Sequence, residues 1–246
     1  MSLPLRLRQV VLITSDLQAV VGELRSELGL ADPYRDPGVE QFGLENRVVA
    51  AGDCFVEVLS PIAEDTAGGR YLERRGGDAG YMAIFQVDDR DLPRRRATDL
   101  GIRVAWKVDL DDISATHLHP ADVPGALVSL DWAEPPESWR WAGPAWTGGA
   151  PGSAEDRAGG ITGLTVAAAD PPAMAARWAA VLGLDGGDDD NTLRIARAGQ
   201  ELRFVPALDA RTEGIIECGL ALPAGHHPIH ERSKTIGGVR FTVTSV

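Results

Sequence analysis

The sequence predicts an α+β protein assembled from tandem strand–helix–strand repeats, and three observations lead there. The first is self-similarity. LRQVVLITSDLQAVVGELRSELGL from Leu7 and ITGLTVAAADPPAMAARWAAVLGL from Ile161 both run strand, aspartate, amphipathic helix, Leu-Gly-Leu. The second is a constant spacing: Asp16 to Gly29, Asp88 to Gly101 and Asp170 to Gly183 are each 13 positions apart. The third is a shared hairpin signal after the helices. RVVAAGDCFVEVLSP and LRIARAGQELRFVPA both carry an Ala-Gly turn between two β-rich runs.

Taken in order, VVLIT is apolar and partly β-branched, as a buried strand should be. Asp16 is placed to accept hydrogen bonds from the first free amides of the next helix, and Gly29 stands where a left-handed C-cap is wanted. Strands are expected at 46–51 and 54–60, then a short helix around YLERRGGDAG (71–80). The second copy starts at Gly80 with GYMAIFQVDD, with Gly101 in the C-cap position 13 residues after Asp88 and strands near 102–108, 113–119 and 126–132. Residues 134–159 are rich in Pro, Gly and Trp and read as a linker, with Trp139, Trp141 and Trp146 expected to pack back onto a domain. The third copy, from Ile161, has Asp170 and Gly183 as its caps and strands at 192–197 and 200–205. A fourth unit would fill 213–246, from IIECGLALPAG to GGVRFTVTSV, but HHPIHERSKT between them is too short and polar for a helix, so the last unit is abbreviated. The expected organisation is a complete pair over 1–133, the linker 134–159, and a truncated pair over 160–246.

Composition narrows the function. Hydrophobic content of 44% and charged content of 24% describe a globular chain. A net charge of −12 argues against nucleic acid and anionic membranes as partners, both of which need a basic surface. Arg74-Arg75 and Arg94-Arg95-Arg96 read as solvated helix faces. Two cysteines far apart, with no CxxC, suit a reducing compartment. With no signal-like apolar segment and no run of about 20 apolar residues, the expectation is a cytoplasmic protein.

Paired units of this kind resemble the vicinal-oxygen-chelate superfamily of glyoxalase I, bleomycin-resistance proteins, extradiol dioxygenases and methylmalonyl-CoA epimerase. The order VEVLSP (56–61), YLERRGGDAG, IFQVDD (84–89) and LHPADVPGALVSL (118–130) makes the first half most similar to the epimerase branch. The resemblance implies tandem βαβββ units forming curved, cup-like mixed sheets. In that superfamily the concave face holds a divalent metal and a small-molecule substrate.

In that superfamily the metal takes one ligand from the first and one from the last strand of each unit. Carried onto this sequence, the positions are Gln9, Glu57, Met82 and Ser129. Gln9 and Glu57 offer oxygen, but Met82 is a soft thioether and Ser129 a weak neutral donor, a poor set for a hard or borderline cation. The site is therefore expected to be degenerate, with no cofactor. In the second pair the corresponding positions, Gly163 and Phe204, cannot ligate at all, and His226, His227 and His230 read as a solvated loop. His117 and His119 lie two apart in what reads as one strand and would share its face. The repeat, however, assigns the ligand position there to Ser129, leaving His119 as a polar contact at the rim of the cup.

Three functions are compatible with these residues. One is a lyase- or epimerase-type enzyme on a small carbonyl or acyl compound, with Glu57 as general base, Gln9, Met82, His119 and Ser129 touching the ligand, and Phe85 and Trp106 near an apolar pocket. Another is a non-catalytic protein that sequesters an apolar small molecule, as bleomycin-resistance proteins do, with Glu57 merely pairing with Gln9 or an arginine. The third gives the second pair a structural or dimerising role, including a homodimer in which another chain completes the truncated unit.

Overall fold

The computed structural model describes residues 5–143, 146, 159–186, 191–223 and 232–245. The first repeat begins with β1 (Arg6–Ile13), buried on both faces as its unbroken apolar run demands, and α1 (Leu17–Leu28). The Asp16 carboxylate accepts from the Ala19 amide at the start of α1, and Gly29, at φ 66°, closes the helix in the left-handed conformation. The hairpin β2 (Leu44–Ala51) and β3 (Cys54–Pro61) turns at Gly52, where φ is 62°. After α2 (Ala67–Arg75), the second unit consists of β4 (Ala79–Val87), α3 (Leu92–Asp99), β5 (Val104–Asp109), β6 (Ile113–Leu118) and β7 (Leu127–Ala133).

These strands form one mixed sheet in the order β2-β3-β1-β4-β7-β6-β5. The two units meet where β1 runs antiparallel to β4, each being flanked on its other side by a parallel strand of its own unit, β3 or β7. The second sheet contains β8 (Gly160–Ala168), β9 (Thr192–Ile195), β10 (Gln200–Pro206), β11 (Gly214–Leu222), β12 (Arg232–Ile236) and β13 (Val239–Ser245), with α4 (Pro171–Leu182) after β8. Its order, β12-β13-β11-β8-β10-β9, repeats the same antiparallel junction with β11 against β8. The α+β class and the tandem glyoxalase-like units are thus as the sequence implied. The fourth unit has no helix among the described residues, and part of HHPIHERSKT forms the edge strand β12.

One apolar core lies between the sheets. It joins the backs of β1, β3 and β4 (Leu12, Val56, Phe85) to α1, α4 and the inner face of the second sheet (Trp178, Phe204, Phe241). Phe85 meets Trp178 edge to face at 6.1 Å, so it belongs to this core and not to a ligand pocket. The sheets approach closely at Gly80, where an added Cβ would stand 2.5 Å from the Ile215 Cβ. The outer face of the second sheet is polar: Thr162, Arg194, Glu201, Arg203, Glu217 and Arg240 point outward and pair in part with one another. That sheet backs the first and forms no cup of its own from these residues.

Two local expectations change. The helix of the second unit does not begin like α1 and α4: its N-cap residue is Asp91, with no side-chain cap bond, and the Asp89 carboxylate accepts from the Asp91 and Leu92 amides. His117 and His119 do not share a strand face, because β6 ends at Leu118 and the chain turns at His119, whose ring accepts from the Ala121 amide. The Arg94–Arg96 cluster is spent on partners: Arg94 grips Asp109 through two hydrogen bonds of 2.9 Å, Arg95 binds Asp89, and Arg96 reaches the Val181 carbonyl. No helix of the described residues is long and apolar enough to cross a membrane.

Candidate functional site

Strand register assembles the site. Gln9 lies opposite Ile84, Ile84 opposite Ser129, Ser129 opposite His117, and His117 opposite Trp106. Directly paired residues share a face, so this row crosses five strands on the concave side. A neighbouring row runs from Glu57 through Val11 and Met82 to Leu127. Alternation then puts Phe55, Leu59 and Asp131 on the same face. Above these rows is a cavity of about 600 Å³, walled largely by apolar side chains, among them Leu59, Met82, Ile84, Trp106, Val108 and Trp141.

The chain closes two sides of this cup. The 3₁₀ turn Pro37–Phe42 leans across to β5, where Phe42 meets Trp106 edge to face at 5.4 Å. At one end the segment after β7 folds back, and Trp139, wholly buried, lies parallel to Phe55 at 6.3 Å. Its tether begins at a bulge in β1. Arg8 is the extra residue between the Leu7 and Gln9 pairings, and the bulge turns its guanidinium alongside the Phe55–Trp139 pair, at 5.5 and 5.4 Å from their ring centres. Arg8 also donates to the Glu137 carbonyl, and Gln86 to the Pro136 carbonyl. Trp141 and Trp146 pack against the same apolar cluster, as the sequence led us to expect of the three tryptophans.

Glu57 sits at the wall, 6% exposed, and both of its carboxylate oxygens accept amide N–H groups, from Gln9 at 2.6 Å and Asn46 at 2.6 Å. Neither amide is free to turn over. The Trp139 indole, which can only donate, gives its proton to the Gln9 carbonyl, and the Asp36 backbone amide does the same for Asn46. Burial pushes the Glu57 carboxyl up to about 7, the two amide donors and the charge of Asp36 being smaller influences of opposite sign. A second carboxyl, Asp131, lines the cavity and is pushed by burial to about 7 against hydrogen bonds from Ser129 and from the Trp141 indole. Burial also lowers His117, on the same wall, to about 4.

Of the residues singled out from the sequence, Gln9, Glu57 and Met82 line the cavity, as does Trp106. Ser129 is fully buried on the concave face, with its hydroxyl directed to Asp131. His119 lies past the end of β6 in the turn, away from the cavity lining. Asn46, Asp131, Trp139 and Trp141 were not anticipated as site residues. Asp131 carried a readable signal, being two residues from Ser129 on one strand. Asn46 and the tryptophans carried none, because only folding brings them to Glu57 and Asp131. As a donor set for a divalent cation the assembly fits poorly. Gln9 and Glu57 are bound to each other, Met82 and Ser129 stand at the other two positions, and no group of three or more His, Cys, Asp or Glu converges among the described residues. His226, His227 and His230 lie outside those residues.

A smaller cleft, of about 350 Å³, lies between the sheets beside Arg6, Asp53 and Gln200. Three of its polar groups are already matched. Arg6 pairs with Asp53, and Gln200 binds the Leu7 backbone and the Ile161 carbonyl.

A hypothetical protein from Staphylococcus aureus has the same architecture, with a TM-score of 0.68 at 11% identity over 99% of this chain and 100% of that one. A mutant 4-hydroxymandelate synthase from Streptomyces coelicolor aligns at TM-score 0.66 and 16% identity, covering 89% of this chain and 71% of the synthase. At these identities the likeness shows the fold. A variant methylmalonyl-CoA epimerase from Streptomyces coelicolor, in complex with 2-nitronate-propionyl-CoA, covers 52% of this chain and 96% of its own at 24% identity and TM-score 0.47. No curated protein matches the sequence. The family model described as a glyoxalase-like domain matches residues 10–182, more than two thirds of the chain, and the chain therefore belongs to the glyoxalase-like family.

Proposed function

We propose that the cup of the N-terminal units binds a small, largely apolar molecule without a metal, and that Glu57 exchanges a proton with it. The observation that carries this reading is a buried carboxyl, pushed by burial up to about 7, on the wall of an apolar cavity of about 600 Å³. Near neutrality such a group is present in both forms, so it can take a proton and return it. On a carbonyl compound the step breaks a C–H bond beside the carbonyl, forms the Glu57 O–H bond and leaves the electron pair as an enolate. Return of the proton restores the carbonyl compound. The amides of Gln9 and Asn46 hold the carboxylate in one orientation, which favours a positioned base over a mobile one.

The test is deuterium exchange. Compounds that raise the melting temperature are incubated with the protein in D₂O, and loss of their α-proton signal is followed by NMR. Exchange that disappears in Glu57→Gln while binding survives supports the proposal; binding with no exchange in the wild type rejects the proton transfer. A second reading, sequestration without chemistry, is favoured by the fact that both Glu57 oxygens already accept hydrogen bonds. It predicts that second outcome.

A further inference from the structure

Among the described residues, His117 is the one imidazole on the cavity wall, and its ring is left without a polar partner. The ring packs against Trp106, 4.6 Å between centres at 51°, and neither ring nitrogen hydrogen-bonds to any described residue. The nearest polar neighbour across the strand, Ser129, has committed its proton to Asp131. Nor is either nitrogen among the sealed, unsatisfied atoms of the structure, which agrees with a ring edge open to the cavity. On a wall where Glu57, Asp131, Gln9 and the Trp141 indole all have partners, the imidazole shares this unused capacity with the Tyr81 hydroxyl, which also lines the cavity and hydrogen-bonds to no described residue. A buried polar group without a partner is expensive, so one left open to a cavity favours a ligand that supplies the missing bond.

The charges on the wall restrict what that ligand can be. Glu57, Asp131 and Asp36 line the cavity, and the single guanidinium among its lining residues, Arg140, is already paired with Asp112 at 2.7 Å. An anion entering the cup would face carboxyls with no free cation among the described lining residues to meet it. The imidazole adds no positive charge, because burial keeps it neutral at ordinary pH. A neutral imidazole offers one donor and one acceptor, which matches a hydroxyl twice over or a carbonyl once.

We infer that His117 is a specificity-determining contact of the cup, holding the polar atom of a neutral ligand that carries a hydroxyl or carbonyl group on an apolar body. The inference rests on the cup being the binding site, and the experiment separates the two claims. Wild type and His117→Phe, which retains an aromatic ring but no hydrogen bond, are titrated with 2-naphthol, 2-methylnaphthalene and 2-naphthoate. The first two differ only in a hydroxyl against a methyl, and the third adds a charge. The wild type is expected to bind 2-naphthol about tenfold more tightly than 2-methylnaphthalene, a difference of about 1.4 kcal/mol. It should bind 2-naphthoate most weakly, and His117→Phe should erase the preference for the hydroxyl.

Equal binding of the two neutral probes by the wild type overturns the inference and leaves the cup standing. A preference that survives in His117→Phe does the same. Failure of all three probes to bind the wild type overturns the cup as the site and the inference with it. If His117→Phe does not fold, the ring ¹⁵N shifts of His117 in the wild type decide. They should move with 2-naphthol and stay with 2-methylnaphthalene; shifts indifferent to both overturn the inference.

Discussion

Replacing Glu57 by glutamine should change how stability depends on pH. In the folded protein the Glu57 carboxyl is held at about 7 by burial, against 4.5 for an ordinary glutamate. Between those values the folded chain keeps a proton that the unfolded chain has released. The stabilisation is therefore fully present below about pH 4.5 and is lost as pH rises through 7. Integrated from pH 5 to pH 8, the loss is roughly 2–3 kcal/mol of unfolding free energy from this one group. Glutamine does not titrate, so the variant should lack that component.

The substitution also brings its own penalty. A glutamine amide placed between Gln9 and Asn46 presents one N–H₂ group to two donors whose orientations are pinned by the Trp139 indole and the Asp36 amide. One donor loses its acceptor, which costs about 1–3 kcal/mol. Glu57→Gln should thus be clearly less stable than wild type at pH 5 and close to it at pH 8. Urea denaturation at intervals between these pH values measures this, provided the m-value is unchanged. Asp131 titrates in both proteins and cancels from the difference. Parallel stability–pH curves for the two proteins would refute the account of a buried, proton-holding Glu57.

Other perturbations probe the supports of the site. Trp139→Phe keeps an aromatic ring over Phe55 but removes the donor that orients Gln9, and should cost about 1 kcal/mol by denaturant titration. It should also move the alkaline loss of stability to higher pH, since Glu57 loses its guaranteed donor. Gly80→Ala drives a Cβ to 2.5 Å from the Ile215 Cβ and 2.8 Å from its carbonyl oxygen, so the two sheets must separate. A loss of about 1–3 kcal/mol, read as a lower melting temperature, is expected. Prolonged dialysis against a chelator should leave the melting temperature of the wild type unchanged, because the Gln9, Glu57, Met82, Ser129 set is matched to no divalent cation.

Local chemistry carried the fold in the sequence. The Asp-to-Gly spacing was readable because both ends of α1 and α4 use short-range bonds, Asp16 to Ala19 and Asp170 to Ala173, each closed by a left-handed glycine. At α3 the spacing holds without the bond: its N-cap residue is Asp91, whose side chain makes no capping bond, and Asp89 accepts from the Asp91 and Leu92 amides. Gln9, Glu57 and Met82 could be brought to one site only through the family resemblance, which assigns them the ligand positions; strand register then sets them on one face. His119 could not be placed, because the alternation that linked it to His117 fails where β6 ends at Leu118. What makes Glu57 unusual was not legible, since it depends on Asn46 from a diagonal strand position and on Trp139, 130 residues from the glutamine it orients.

The central claim is that the concave face of the first sheet is a binding site, and occupancy tests it most directly. Titration with 1-aminoanthracene, a neutral apolar fluorophore, should give saturable binding of one molecule per chain. Leu127→Trp places a larger ring into the cavity from a half-buried position on its wall, and should abolish that binding while the protein still melts cooperatively. Binding of equal affinity in a folded Leu127→Trp protein, or no saturable binding in the wild type, would contradict the account.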